Sequence, residues 1–408
     1  MANEFSKEER VAFEQMTEGF EDALVLSRNV SVYNTDSQTM ERANDTIWRP
    51  MPYILSSIDG APRTDISGSY QTATQLSVPA TLGFNKTAPW TLDAKELRDA
   101  LQENRLGTAA RQRLASDINI AVMNVAAAQG TVVVKRTAAA SGFDDVAELD
   151  TAFNELGVMS EDRYLALSSR DYNGMASNLA GRQTMNQKPT TAYEKAYVGQ
   201  VSGFETYKMD YANRIAAQAT SITVDTDGAN IDYVPAATST SVGGQINVDN
   251  RYQSVTVSNV DNRTQNLVTT TNTGVVAGDC FTIAGINSVH HITKQDTGQL
   301  KTFRVISVTN STTLVISPPI ISASTTPTDP EVQYQNCVAN SVSNTAAVVW
   351  LNVAAAAINP FWHKDAIELM PGRYAGDPDG ATMLRYTSDQ GIELTLTKQF
   401  AIDTRVTK

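Results

Sequence analysis

The stretch from Thr91 to Gln129 sets the strongest limit on what this chain can fold into. Leu97, Ala100 and Leu101 recur at helical spacing after Asp93. Glu96 stands three residues beyond that aspartate, a capping box that would satisfy the free N–H groups of a helix start. Asn104 and Gly107 weaken the pattern, so a short first helix is expected to end there. From Thr108 onward, Ala110, Leu114, Ile118, Ala121, Val122 and Val125 follow spacings of three and four and line one face of a second helix, roughly five turns or longer. Gly130 is expected to stop it with a left-handed cap. Arg105, Arg111, Arg113 and Asp117 crowd its first half, whereas Ile118 to Ala128 is nearly apolar on every side, which predicts burial on more than one face.

At 408 residues and 41% hydrophobic content the chain can bury a large core, divided among two or three domains. No apolar run is long enough to span a bilayer, and the residues from Met1 lack the apolar core of a signal peptide; the expectation is a soluble protein kept in a cytoplasm, with no membrane partner. The two cysteines, Cys280 and Cys337, have no metal spacing and read as buried reduced thiols. A net charge of -12 argues against a dedicated nucleic-acid binder, whose affinity comes from neutralising phosphates, but it is compatible with enclosing DNA without holding it.

Residues 1–32 read as an acidic amphipathic arm, with Phe13, Met16, Phe20, Ala23 and Leu24 on one face and Glu14, Glu18, Glu21 and Asp22 among the acids between them. Two uses fit it: a solvated helix packed on its own domain, or a docking element for a basic partner. Thr46 to Pro50 is a short strand. Met51 to Phe84 alternates loosely through Asp59-Gly60 and Ser67-Gly68 turn signals, a hairpin that would project onto a neighbour because an isolated pair of strands is marginal in water. Thr131 to Val134 reads as a strand, Phe143 to Leu156 as a helix with Val146, Leu149, Phe153 and Leu156 on one face, Arg163 to Leu167 as a strand, and Ser169 to Leu179 as a helix stopped by Gly181. Alternating helix and strand indicate an α+β or α/β layer, which Ala192 to Met209 completes.

Composition changes abruptly at about Ser221. As far as Thr345, strand candidates Ser221–Thr226, Gln245–Asn259, Ala277–Gly285, Lys301–Thr309 and Thr313–Ile321 follow one another with no helical pattern, an all-β barrel or sandwich set into the host. Helical character is expected to return at Ala346 to Ala357, and alternating strands at Thr382 to Tyr386 and Ile392 to Ile402 end the chain, with a final strand that looks cut short at Lys408.

Catalytic patterns are missing: there is no phosphate-binding glycine loop, no dinucleotide fingerprint, no His-Glu-x-x-His and no nucleophile elbow. An extended Val289 to Thr293 would point His290 and His291 to opposite faces, which prevents them from sharing a metal. His363 has no identifiable partner and reads as a packed edge histidine. Asp225-Thr-Asp-Gly lacks the downstream glutamate of a calcium loop and reads as a turn. No enzyme activity, metal or cofactor is expected. The competing class is a β-rich glycan-binding or enzymatic protein with its ligand site in the β unit, which however lacks an aromatic cluster for sugar stacking.

Six segments in fixed order carry a resemblance. They are Thr39-Met-Glu-Arg-Ala-Asn-Asp-Thr-Ile-Trp48; Ala109-Ala-Arg-Gln-Arg-Leu114 with Val125-Ala-Ala-Ala-Gln-Gly130; Gly199-Gln-Val-Ser-Gly-Phe204; Ile246-Asn-Val-Asp-Asn-Arg-Tyr252; Ala277-Gly-Asp-Cys-Phe-Thr-Ile-Ala-Gly285; and Asn359-Pro-Phe-Trp-His-Lys-Asp-Ala-Ile367. Together they resemble the major coat proteins of short-tailed phages of the Salmonella type.

The resemblance implies an α+β fold, the Hong Kong 97-type capsid fold with an inserted all-β barrel domain. Its parts would be an N-terminal arm (1–32), a β-hinge and extended loop (33–90), a peripheral domain with the spine helix (91–130), the first part of an axial domain (131–220), the inserted barrel (221–345), the second part of the axial domain (346–386) and peripheral strands (387–408). It implies a structural protein of the virion that assembles in the host cytoplasm, as hexamers and pentamers and with a scaffolding protein, into an icosahedral procapsid. The shell would carry a portal protein, mature on DNA packaging and enclose double-stranded DNA without sequence-specific binding. Phe13, Glu14, Glu18 and Glu21 would meet the scaffolding protein, and Trp48, Asp59, Arg63, Asp65, Val234 and Gln245 would lie at contacts between subunits. The uncharged loop Val234 to Gln245 departs from a charge-based contact, and the family generally continues past the position of Lys408.

Overall fold

A computed structural model describes residues 10–11, 13–14, 17, 20, 24–33, 46–55, 57, 65, 67, 70, 72–81, 83–91, 100–136, 138, 140, 142–181, 194–209, 211, 213–225, 231–237, 260–323, 327–339, 345–372, 382–398, 400–401 and 406–407. The chain forms two units, one from Met1–Thr46, Thr81–Val125 and Trp362–Lys408, the other from Ile47–Ala80 and Ala126–Phe361.

Helix α1, whose residues to Val125 belong to the first unit and whose last turn from Ala126 belongs to the second, runs unbroken over Ala100–Gln129, so the expected interruption at Asn104 and Gly107 does not occur. One interior glycine costs a helix about 1 kcal/mol, less than nucleating a second helix would. The expected short helix from Asp93 falls mostly on residues 92–99, outside the described ones. Arg10, Val11, Phe13, Glu14, Thr17 and Phe20 are helical. Phe20 and Leu24 are buried with Ala115 and Leu394, against Leu114, Ile118, Tyr386 and Ile392. Full burial of side chains of this size stabilises by about 2 kcal/mol each. Leu26 N donates to Asn119 Oδ1 at 3.3 Å. Ser31–Val32 then pairs in parallel with Glu368–Leu369, and Trp362 Nε1 donates to Asn29 O at 3.0 Å.

The tail forms the hairpin Thr382–Thr387 with Glu393–Lys398, in which Tyr386 faces Leu394. The expected strand to Ile402 is divided: Phe400–Ala401 turns to pair with Val406–Thr407.

Helix α1 does not meet the expectation of burial on several faces. Ala115, Val122, Met123 and Ala127 are buried, whereas Val125 is 43% exposed and Asn124, Ala128 and Gln129 are exposed. Much of its apolar character is alanine, which presents little surface, so one covered face suffices in a single chain.

The second unit holds an α/β layer and a barrel. Helix α2, Phe143–Leu156, has the bounds that its periodicity predicts; Val146 and Phe153 are buried and Leu149 packs beside them. It ends at Gly157, which is left-handed at φ 83°. The strand Arg163–Ser168 leads into helix α3, Ser169–Ala180, with Ser168 as N-cap. The chain then returns through Phe204–Met209, parallel to the first strand with Arg163 opposite Phe204. This strand–helix–strand crossover buries Leu165, Leu167, Tyr172, Met175 and Phe204 in one core. Thr131 to Val134 is not a strand: Val133 N and Thr131 O bond to the side-chain hydroxyl of Thr302, at 3.3 and 2.6 Å, instead of to the backbone of its strand.

The barrel runs in the order Ile222–Thr223, Ala347–Trp350, Cys280–Val289, Asp296–Val308, Thr313–Ser317, Gln265–Val268, with Cys337–Ala339 also on Cys280–Val289. Every pair is antiparallel. An antiparallel bridge between Val224 and Thr269 joins the two outermost strands of this order, and Asp225 N donates to Val268 O at 3.0 Å, which closes the ring. Phe281, Ile283, Phe303, Val305, Leu314, Ile316 and Trp350 fill it.

Ala346 to Ala357 is not helical, contrary to expectation. Ala347–Trp350 is a strand between Cys280–Val289 and Ile222–Thr223, and Ala356–Ala357 pairs with Arg214–Ile215. The alanines fit a helix as well, but pairing on both edges and burial of Val348 and Trp350 outweigh propensities worth tenths of a kcal/mol. The candidate strand Gln245 to Asn259 lies outside the described residues.

Candidate functional site

Among the described residues no group of three or more His, Cys, Asp or Glu is placed to hold a metal ion, and no helix is long and apolar enough to cross a membrane. His290 and His291 do not point to opposite faces. The chain turns after Val289, and the two rings lie 5.8 Å apart with planes 11° from parallel. His290 Nδ1 accepts from Ile292 N and Thr293 N, both at 3.3 Å, and so caps the turn. His291 N donates to Leu156 O at 3.1 Å, with its Nδ1 2.8 Å from the same oxygen. The pair thus closes on the carbonyl end of α2. His363 Nδ1 accepts from Asp365 N at 3.3 Å and starts a short turn.

Cys280 and Cys337 are buried free thiols, as expected. Burial pushes the Cys337 thiol up to about 12, with nearby Lys301 opposing the shift and Asp232 adding to it.

Three buried charges organise the second unit, and the sequence reading passed over all of them. Arg163, 1% exposed, donates to Val158 O at 2.6 Å, Met159 O at 2.7 Å and Asn154 Oδ1 at 2.7 Å, and pairs with Asp150. Arg304, 5% exposed, donates to Gly130 O at 2.7 Å and to Ala127 O. Asp279, 1% exposed, accepts from Asn352 Nδ2 at 2.8 Å, Val276 N at 3.0 Å and Gln218 Nε2 at 3.1 Å. Asp279 thereby ties the chain entering the barrel at Gln218 to the chain leaving it at Asn352. The available signal was a charge inside a run of strand-forming residues, as in Thr302-Phe-Arg-Val-Ile306.

Of the residues expected at assembly contacts, Phe13, Glu14, Trp48, Asp65 and Val234 are among the described ones. Phe13 is buried in its own unit, while Glu14 is exposed one residue on. Trp48 is half-buried in the strand Thr46–Pro50, which pairs with Ser77–Thr81. Asp65 is exposed, accepts from Ser67 N at 2.9 Å, and is held below its ordinary value by that bond. Val234 is half-buried. Glu18, Glu21, Asp59, Arg63 and Gln245 lie outside the described residues. Tyr53, Leu55 and Tyr70, in the segment between the strands Thr46–Pro50 and Ser77–Thr81, are 51 to 79% exposed, large uncovered side chains of the kind that contact surfaces carry.

Comparison with solved structures finds similarity to a chain described as the CUS-3 coat protein I-domain, 31% identical over 33% of this chain and 98% of that one, with a TM-score of 0.23. A Mycobacterium phage Che8 chain is 12% identical over 46% of this chain and 69% of that one, with a TM-score of 0.37. A capsid chain of Cyanophage P-SCSP1u is 11% identical over 84% and 86%, with a TM-score of 0.32. The family model described as "P22 coat protein - gene protein 5" matches residues 1–408. With that match over its whole length and a mixed helix and sheet architecture, the chain belongs to the P22 coat protein family and is a structural subunit of a bacteriophage capsid.

Proposed function

We propose that this subunit assembles with a scaffolding protein, as hexamers and pentamers, into an icosahedral procapsid in the host cytoplasm, and that the shell carries a portal and matures as DNA enters. The domain assignment implied by the resemblance, with a barrel inserted into a capsid fold, belongs to the same proposal. The observation that carries the scaffolding step is the split character of the N-terminal helix. Phe13 and Phe20 are buried within its own unit while Glu14 faces outward. Glu14 is therefore open to a partner, and a basic helical segment is the surface complementary to the acidic sequence of this arm. Glu14, Glu18 and Glu21 are assigned to that contact; Phe13 supports it by anchoring the arm. The net charge of -12 suits a container that encloses DNA without binding it.

The test is Glu14→Lys. Loss of scaffolding-directed shell formation, with retained subunit folding by circular dichroism, is expected; wild-type assembly rates would sink the assignment. A glycan-binding role gains nothing from the barrel, whose Phe281, Phe303 and Trp350 pack inside it and offer no exposed platform for a sugar.

A further inference from the structure

Two lysines of the barrel carry positive charge with no negative partner beside them. Lys301 lies on the strand Asp296–Val308, on the same side as Phe303 and Val305, which fill the barrel, so its stem starts on the inner face. Lys294 comes to the same place from the turn that follows Cys280–Val289. Lys294 Nζ donates to Gln335 O and Lys301 Nζ to Asn336 O, each at 2.9 Å, so the two ammonium groups sit on consecutive carbonyls just before the strand Cys337–Ala339. Both lysines are half-buried.

Charges withdrawn from water are ordinarily paired. Among the described residues neither ammonium meets a carboxylate; each has a neutral carbonyl as its hydrogen-bond partner. The nearby acids are engaged elsewhere: Asp296 accepts from Gly298 N at 2.8 Å and Asn287 Nδ2 at 3.1 Å, and Asp232 accepts from the Ser322 hydroxyl. The short helix Asp329–Tyr334, with Gln335 at its C-terminal end, explains one cation, because the last carbonyls of a helix carry partial negative charge. It does not explain two. The second adds repulsion, and burial together with that repulsion lowers Lys294 to about 8. Burial lowers Lys301 as well. Each ammonium has N–H groups beyond the one its carbonyl takes, and lysine binds phosphate oxygens as a point charge.

We propose that Lys294 and Lys301 form a binding site for a small tetrahedral oxyanion, inorganic phosphate above all, which bridges the two ammonium groups and ties the turn at Lys294 to the strand at Lys301. One such anion replaces a repulsion by two attractions. A phosphate offers a separate oxygen to each ammonium, which a single-atom anion does not. The same chemistry on a nucleic-acid backbone is disfavoured here, because the net charge of -12 repels a polyanion over its length, whereas a small ion meets only the local field.

The experiment follows the phosphorus NMR resonance of inorganic phosphate at pH 7 and constant ionic strength as the full chain is added, beside Lys294→Met and Lys301→Met, and measures Tm in phosphate against chloride. A saturable change with the wild type is expected, with affinity at least about tenfold weaker in each variant, the loss of one ion pair. Phosphate should also raise the Tm of the wild type by more than that of either variant. Lys294→Arg, which keeps the charge, should retain binding. Phosphate stabilises any protein somewhat by exclusion from its surface. An equal rise of Tm in the wild type and in whichever variant folds by circular dichroism, or no saturable change in the resonance, therefore overturns the proposal. Displacement of the bound phosphate by a short DNA duplex at equal phosphate concentration would assign the site to nucleic acid and overturn it likewise.

Discussion

Arg304 holds the end of a helix that lies 174 residues earlier in the chain: its Nε donates to Gly130 O at 2.7 Å. Its Nη1 donates to Ala127 O, one turn back. The last carbonyls of a helix have no partners of their own and carry the negative end of its dipole, so a buried guanidinium is matched to them in both hydrogen bonding and charge. Burial lowers the pKa of Arg304, opposed by Cys280, but a guanidinium remains charged at any physiological pH. Arg304→Met is expected to lower stability by about 2–4 kcal/mol, since it leaves buried acceptors unpaired. Urea unfolding followed by far-ultraviolet circular dichroism measures this, and a loss below about 0.5 kcal/mol, the level of a neutral surface change, would show that solvent caps the helix instead.

Gly130 illustrates what was legible in the sequence and what was not. Its position marks the helix end correctly, and its N donates to Ala126 O at 3.0 Å, but it is not among the glycines with positive φ. The left-handed cap expected there is a local device; the cap actually used comes from a distant strand and has no local signature. The same division holds elsewhere. Val146, Leu149 and Phe153, with Gly157 behind them, define α2 because spacing and cap are both local. Ala347–Trp350 was misread because its strand state comes from two partners, Cys280–Val289 and Ile222–Thr223, distant in sequence. The stacking of His290 on His291 was missed for a related reason: alternation was assumed across a turn that His290 itself caps.

Lys294 and Lys301 give the barrel a stability that rises with pH. Lys294 Nζ donates to Gln335 O and Lys301 Nζ to Asn336 O, each at 2.9 Å, so two ammonium groups lie on consecutive carbonyls. Burial, and then repulsion from Lys301, lowers Lys294 from 10.5 to about 8. Between these two values the unfolded chain binds more protons than the folded one, so stability increases with pH across that window and the destabilisation is complete below it. Lys294→Met is expected to raise Tm relative to wild type at pH 7, with the gap closing as pH approaches 10.5. A gap independent of pH would refute the assignment.

Thiol labelling follows from burial. Cys337 is 0% exposed and pushed up to about 12, and burial raises Cys280 as well, so almost no thiolate is present or reachable at pH 8. Iodoacetamide should leave both residues unmodified in the native subunit over an hour and modify both in urea, as read by intact mass. Single modification under native conditions would mean that the barrel opens locally on that timescale.

The contact between α2 and the histidine turn rests on the absence of a side chain at Gly157. A Cβ there would lie 2.5 Å from Cε1 and from Nε2 of His290 and 2.9 Å from Nδ1 of His291, and the backbone sits at φ 83°. Two penalties would therefore add in Gly157→Ala: about 1–2 kcal/mol for a left-handed alanine, and a steric term from imidazoles that His290 Nδ1 and the Leu156 carbonyl hold in place. A double-mutant cycle separates them. His290→Ala alone removes the cap of the turn and is expected to destabilise by about 1 kcal/mol. In the double variant the alanine at 157 no longer meets the His290 ring, so its cost should fall to the backbone part and the remaining 2.9 Å approach to His291 Nδ1. The double variant is expected to be less destabilised than the sum of the two single variants by about 1 kcal/mol or more, and strict additivity would place the two residues out of contact.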